Sequence, residues 1–145
     1  MAKNTEQDIK QLNSFLRGEL SAVETYQQCI EKVENEHVRS QLLGLQESHR
    51  TRALLLKERI LGLGGQPEES AGIWGSLAKA VEGGAKMFGA AAAVSVLEEG
   101  EDHGLDDYRN DVENLSPPER QFVESRLLPE QQKSHDVLSR IDKSL

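Results

Sequence analysis

Apolar residues recur every three or four positions along most of the chain, which is the spacing of one face of an α-helix. Four such stripes follow one another. The first two comprise Ile9, Leu12, Leu16, Val23, Tyr26, Ile30 and Val33, and then Val38, Leu42, Leu45, Ala53, Leu56 and Ile60. The last two comprise Ala90, Val94, Leu97, Leu105, Tyr108, Val112 and Leu115, and then Leu127 or Leu128, Gln131, His135, Leu138 and Leu145. The pattern predicts an all-α protein whose four helices pack as a bundle.

One ionisable residue interrupts each stripe near its middle. Glu19 and Glu101 take this position in the first and third stripes. His49 and His135 take it in the second and fourth. Because the helices of a bundle meet along their apolar stripes, we expect these four side chains to lie at one level of the core.

The two halves of the chain repeat the same short motifs in the same order. Gly-Glu, with a tyrosine seven residues after the glutamate, occurs at Gly18, Glu19 and Tyr26 and again at Gly100, Glu101 and Tyr108. Gln-x-Ser-His occurs at residues 46–49 and again at residues 132–135. Both repeats indicate two-fold pseudosymmetry about a central polar site, in which the two tyrosines are expected to pack in the core.

Glycine and proline mark the predicted helix ends. Gly64-Gly65-Gln66-Pro67 is expected to end the second helix, because glycine adopts the left-handed cap and proline cannot continue the helix. Ser116-Pro117-Pro118-Glu119 has the order of a capping box, and Pro129 is expected to kink or restart the fourth helix. Within the long crossover between the second and third helices, a short extra helix is predicted from the spacing of Ile73, Trp74, Leu77 and Val81.

Composition limits the classes of function. The 145 residues suffice for one domain, residues 1–145, with a formal net charge of −8. That charge disfavours nucleic acid or an anionic membrane as a partner, because binding to either needs clustered lysine and arginine. The most apolar run, residues 87–97, is far shorter than the roughly 20 residues of a membrane span. A single cysteine, Cys29, and a polar start unlike a signal peptide predict a cytoplasmic protein.

A layer of two carboxylates and two imidazoles in the core needs neutralisation, because a buried charge is costly unless it is paired or bound to a metal. Glutamate oxygens and neutral histidine nitrogens are ligands that suit iron, manganese or zinc. The alternative is a metal-free network in which each carboxylate pairs with a protonated imidazole. The residue types leave both interpretations open.

The same residues resemble a known superfamily. Glu19-Leu20-Ser21-Ala22, with Tyr26, resembles the first-helix metal-ligand segment of bacterioferritins and rubrerythrins, which are ferritin-like proteins. The Gln-x-x-His pairs fall where that superfamily carries Glu-x-x-His. Residues 63–68, Trp74 and residues 98–102 are more closely similar to a bacterial family of ferritin-like four-helix-bundle proteins catalogued as a domain of unknown function. The resemblance implies a ferritin-like bundle over nearly the whole chain and a candidate metal site.

The sequence also departs from the superfamily pattern, since Gln46 and Gln132 stand where two ligand glutamates are expected. The loss of two carboxylates disfavours a tight di-iron centre and favours one ion or a weakly held pair, iron first, with manganese or zinc as alternatives. The predicted ligands are Glu19, His49, Glu101 and His135, with auxiliary roles for Glu98, Gln46 and Gln132.

Two functions follow from these observations. The first is a ferritin-like metal-binding protein that handles iron or reduces an oxidant at the Glu/His layer. The second is a metal-free helical bundle that acts as a structural or protein-interaction module. In the second case the Trp74 region, with Ile73, Leu77, Met87 and Phe88, is expected to dock a protein partner or a second copy of the chain.

Overall fold

The computed structural model describes residues 2–70 and 75–145, with the side chains of residues 4–70 and 89–145. These residues contain no β-strand, so the all-α prediction is confirmed. Two shorter segments complete the helices: a 3₁₀ turn, Val112–Asn114, and a π-helical segment, Val123–Leu127. The α-helices are α1 (Ala2–Lys32), α2 (Glu36–Gly62), α3 (Gly75–Asp111), α4 (Pro117–Phe122) and α5 (Leu128–Ser144).

An asparagine cap and a glycine set the two ends of α2. Asn35 caps its first turn by accepting a hydrogen bond from the Val38 N–H at 3.0 Å. At its other end Gly64 takes a φ of 84°, as the glycine-rich stop predicts. Because only residues 33–35 separate α1 from α2, the two helices run antiparallel and pack against each other along their length.

The predicted capping box at Ser116 is wrong. The Ser116 side chain makes no cap to α4; its hydroxyl donates instead to Asp8 Oδ2 at 2.5 Å. Its N–H donates to Asp8 Oδ1 at 2.8 Å, so a carboxylate of α1 holds the start of α4. The proline at the first helical position is where the sequence predicts it, because the missing N–H costs nothing there.

Two irregularities interrupt the third and fourth rods of the bundle. Gly89, with φ 72° and ψ −148°, breaks α3 into a stretch before and a stretch after it. The stretch from 75 to 88 corresponds in place to the predicted extra helix, but Ile73, Trp74 and the side chains of that stretch lie outside the described residues. Pro129 follows the π-helical segment and lies in the first turn of α5. The fourth helix of the bundle therefore begins again at this point and does not end there.

The core consists of two apolar clusters separated along the bundle by a polar layer. The upper cluster contains Tyr26, Cys29, Ile30, Val33, Val38, Leu42, Leu45, Ala93, Val94, Leu97, Leu138 and Ile141. The lower cluster contains Leu12, Phe15, Leu16, Ala53, Leu56, Ile60, Tyr108, Val112, Leu115, Val123 and Leu127. Glu19, His49 and Glu101 are buried between the two clusters. Along each helix that carries one of them, the residues of one cluster precede it and the residues of the other follow it.

The apolar run at residues 87–97 contributes to this core. Ala93, Val94 and Leu97 are buried in the upper cluster against α1 and α2. Over the part of the chain that the structure describes, no helix has the length and apolar character that a membrane crossing requires.

Two glycines give a matched test of the helix boundary. Gly64→Ala is expected to lower the free energy of unfolding by about 1–2 kcal/mol, because alanine is strained at a φ of 84°. Gly44→Ala, inside α2 where an added Cβ meets nothing within 4 Å, should raise it by about 0.4–1 kcal/mol. Urea denaturation of both variants measures the two changes, and equal signs would contradict the assigned end of α2.

Candidate functional site

The centre of the polar layer is an imidazole between two carboxylates. His49 Nδ1 lies 2.5 Å from Glu19 Oε1, and His49 Nε2 lies 2.7 Å from Glu101 Oε2. All three side chains are buried, with at most 4% of their surface exposed. The ring therefore bridges α1 and α3 from its place on α2, and each of its nitrogens faces one carboxylate.

The tyrosines of the internal repeat bind these carboxylates reciprocally. Tyr26 donates its hydroxyl hydrogen to Glu101 Oε2 at 2.5 Å, and Tyr108 donates to Glu19 Oε2 at 2.5 Å. The tyrosine of each half therefore serves the glutamate of the other half. Both rings are also core residues, so the pseudosymmetry of the sequence appears in space as a crossed pair of hydrogen bonds.

Arg52 is the second cation of the layer, and the sequence analysis missed it. Its side chain is 1% exposed, and its Nη1 lies 3.5 Å from Glu19 Oε2. The guanidinium also donates to Gln131 Oε1 and, at 3.1 Å, to the Ser134 hydroxyl. The signal that could have found it is position: Arg52 follows His49 by three residues and therefore lies on the same face of α2.

Two residues of α5, Gln131 and Ser134, donate further hydrogen bonds to the Glu101 carboxylate. Gln131 Nε2 donates to Glu101 Oε1 at 2.9 Å, and the Ser134 hydroxyl donates to the same oxygen at 2.7 Å. Gly104 makes room for this contact, because a Cβ there would lie 2.9 Å from Gln131 Nε2. Every oxygen of the two carboxylates consequently accepts at least one hydrogen bond.

The electrostatics of the layer favour its charged form. Burial raises the pKa of Glu101, but the His49 imidazole and the hydrogen bonds from Tyr26 and Ser134 outweigh burial and lower that pKa to about 2. Burial likewise raises the pKa of Glu19, while Arg52 and His49 bring it below its ordinary value.

The pKa values of the two cations, His49 and Arg52, are raised. Burial lowers the pKa of His49, yet the two neighbouring carboxylates raise it above its ordinary value. The same balance raises the pKa of Arg52. The charged layer thus contains two anions and two cations, and its formal charges cancel.

His135 is not part of this layer, contrary to the predicted convergence. Its side chain is 24% exposed and pairs with Asp102 and, at 3.3 Å, with Asp136. The error lies in one step along α5. Gln131 and Leu138 of the predicted stripe are buried, but Ser134, three residues beyond Gln131, takes the core position in place of His135, which is four residues beyond it.

The three auxiliary residues also lie away from the carboxylates. Gln46 is buried, but its amide donates to the Val23 carbonyl at 3.0 Å and to Gln27 at 3.1 Å. Gln132 is partly exposed and accepts a hydrogen bond from Arg109 at 2.6 Å. Glu98 is half-buried beside Asp142, and burial together with that carboxyl group raises the pKa of Glu98.

A cavity of about 60 Å³ between α1 and α3 reaches the layer from one side. Its inner wall includes Glu19, Glu101 and His49, with both tyrosines. Gly18, Gly100 and Gly104 also line it. This volume is enough for several water molecules beside the carboxylates.

The donor set fits a metal ion poorly. Within the described residues, no three or more His, Cys, Asp or Glu side chains form a group that could hold an ion. His49 stands between the two carboxylates, so no single point is close to all three donors. The Arg52 guanidinium beside Glu19 adds a positive charge where a cation would have to bind.

Fold and site together define an all-α bundle with a buried, internally paired Glu/His/Arg layer. The chain belongs to the family described as a domain of unknown function, DUF2383, whose model matches residues 7–114. The match includes Glu19, His49, Arg52 and Glu101 and ends before α4, so Gln131 and Ser134 lie beyond it. No curated protein and no solved structure matches the chain.

The lowered pKa of Glu101 and the raised pKa of His49 predict a range of pH in which the folded protein is most stable. Glu101 stabilises the fold above the pKa of an unfolded glutamate and loses this contribution as the pH falls from about 4.5 towards 2. His49 stabilises the fold below the pKa of an unfolded histidine and loses its contribution as the pH rises above about 6.5. Urea unfolding at a series of pH values should therefore show a plateau between these limits.

A histidine control identifies the alkaline limb of that profile. His49→Gln is expected to remove the fall in stability above the plateau. His135→Gln should keep most of it, because His135 is partly exposed and its ion pairs are screened by solvent. Constant stability of the wild type from about pH 6.5 to 9 would mean that His49 is neutral in the folded protein.

Proposed function

We propose that this protein is a metal-independent helical bundle, ferritin-like in the arrangement of its helices, that acts as a structural or protein-interaction module. The observation that carries the proposal is the charge balance of the buried layer. Glu19 and Glu101 already have two protein cations, His49 and Arg52, as partners. A metal is therefore not required to neutralise them.

Energetics favour this interpretation over a metal centre. A divalent ion bound to Glu19 would displace the hydrogen bonds of that carboxylate and leave the buried Arg52 without its anion. It would also require His49 to lose a proton that two carboxylates hold in place. Each step costs free energy that the binding of the ion would have to exceed.

The ferritin-like arrangement is supported by topology and repeat. Antiparallel α1 and α2 form one pair, α3 after Gly89 and α5 form the other, and residues 63–88 connect the pairs. The Gly-Glu and tyrosine motifs occupy equivalent places on α1 and α3, as expected of a duplicated helix pair. This arrangement corresponds to a bundle with one long crossover.

Divalent-metal binding is the second candidate, and the cavity between α1 and α3 favours it. Glu19, Glu101 and His49 line this cavity, and a metal site needs an entry path of this kind. In that case His49 would have to move from between Glu19 and Glu101 before the three residues could hold iron, manganese or zinc, and the bound ion would supply redox or Lewis-acid chemistry. The assignment of these ligands stays a prediction.

Glu19→Ala distinguishes the two candidates. If the layer is an ion-pair network, the substitution should cost about 3–5 kcal/mol of unfolding free energy, because it leaves buried cations without an anion. The cost should be the same with chelator and with added iron, manganese or zinc. Denaturant melts under each condition measure it, and Glu24→Ala, an exposed carboxylate on the same helix, is the matched control.

The opposite pattern would support the metal candidate. A ligand that binds only the folded protein raises its stability according to its concentration and affinity. A metal-dependent stabilisation of the wild type that Glu19→Ala abolishes, with little change in chelator, would contradict the metal-independent proposal.

A further inference from the structure

The outward face of α2 carries a row of exposed leucines. Leu43, Leu54 and Leu61 are 48%, 58% and 60% exposed. They are separated by 11 and 7 residues, close to three and two turns of an α-helix, so they project from the same side. The buried residues of α2, such as Leu42, Leu56 and Ile60, serve the bundle core from other sides of the helix.

Charged residues fill the intervals between these leucines. Glu47, Arg50 and Lys57 complete a series whose steps alternate between four and three residues, which is the spacing of a coiled-coil seam. We call the six residues the α2 seam: Leu43, Glu47, Arg50, Leu54, Lys57 and Leu61.

We propose that the α2 seam docks a second copy of this chain, with the two α2 helices antiparallel about a two-fold axis at the level of residue 52. The series is self-complementary in that register. Leu43 faces Leu61 of the partner subunit, and Arg50 places its aliphatic stem on Leu54 of the partner subunit. Glu47 faces Lys57 of the partner subunit, and the two-fold axis repeats each contact.

Charge selects this register over the parallel one. In a parallel pair each residue would meet its own copy, so Glu47 would face a glutamate and Arg50 an arginine. The antiparallel pair replaces these repulsions with two Glu–Lys contacts. Within one chain Glu47 Oε2 lies 3.6 Å from Arg50 Nη1. The Glu47 side chain is 69% exposed and that of Arg50 is 49% exposed, so the carboxylate is available at the surface.

The surroundings of the seam permit close approach of a second helix. Gly44 and Gly62 flank it, and a Cβ at either position would meet nothing within 4 Å. The seam extends over 19 residues, from 43 to 61, or about 27 Å of helix. A contact of one helix on another is small for a stable complex, so we expect a reversible dimer with a Kd of about 1–100 μM.

Sedimentation velocity over a range of concentrations tests the docking. The wild type should shift from monomer towards dimer as its concentration passes the Kd. Leu54→Glu should raise the Kd at least about tenfold, because it places a carboxylate in the apolar seam. Leu145→Glu is the matched control, since Leu145 is 50% exposed but lies outside the seam, and it should leave the Kd unchanged.

Charge exchange tests the register. Glu47→Lys or Lys57→Glu alone should weaken the dimer about tenfold or more, because each brings like charges together at two places. The double variant with both exchanges should restore the wild-type Kd. In a parallel pair each exchanged residue would still meet its own copy, so neither single exchange would weaken the dimer and there would be no loss to restore. Circular dichroism of every variant checks that the bundle is folded.

Several results would overturn the proposal. They are a wild type that stays monomeric up to about 1 mM, a dimer that Leu54→Glu leaves intact, and a dimer that the double exchange fails to restore. The seam is independent of the central layer, because none of its six residues contacts Glu19, His49 or Glu101 in the hydrogen bonds described above. Failure here therefore leaves the proposed metal-independent core untouched, and failure of that core leaves the dimer testable.

Discussion

A histidine held between two buried carboxylates is the interaction on which the rest of this bundle depends. His49 links Glu19 of α1 to Glu101 of α3 and is itself fixed on α2, so one ring joins three helices. Arg52 adds α5 through Gln131 and Ser134. Charges at this depth are tolerable only when they are paired and hydrogen-bonded, and here both conditions are met. We infer that the layer fixes the relative heights of the helices, while the apolar clusters on either side supply the burial.

The sequence predicted much of this arrangement, because helix period and polar interruptions report directly on which face is buried. Glu19, His49 and Glu101 were found from their places on the stripes. Tyr26 and Tyr108 were noted in the repeat but were expected to pack in the core, whereas both also donate hydrogen bonds to the carboxylates. Arg52 was missed because an arginine beside a stripe is usually solvent-exposed, and only the positions of Glu19 and Gln131 make it a core residue. His135 was misplaced because Ser134 and His135 both fit a helical step between Gln131 and Leu138, and the repeated Gln-x-Ser-His motif favoured the histidine.

Gln46 shows why a resemblance can mislead about a site. A glutamate there would face a metal in the related pattern, whereas the Gln46 amide of this chain bonds to α1 through Val23 and Gln27. Arg52, one turn beyond His49, lies beside Glu19 and compensates its charge. The anions and cations of the layer are partnered within the chain, which is why we propose that the protein interacts through its surface rather than its core.

The protonation state of His49 tests this account most directly. An imidazolium that donates to both carboxylates must carry a proton on Nδ1 and on Nε2 at neutral pH. Nitrogen-15 NMR of the histidine side chains, with His49 assigned by its absence in His49→Gln, reports both protons. We predict a doubly protonated ring at about pH 7 that titrates above its ordinary pKa of about 6.5. A neutral ring with one bare nitrogen at that pH would contradict the ion-pair network.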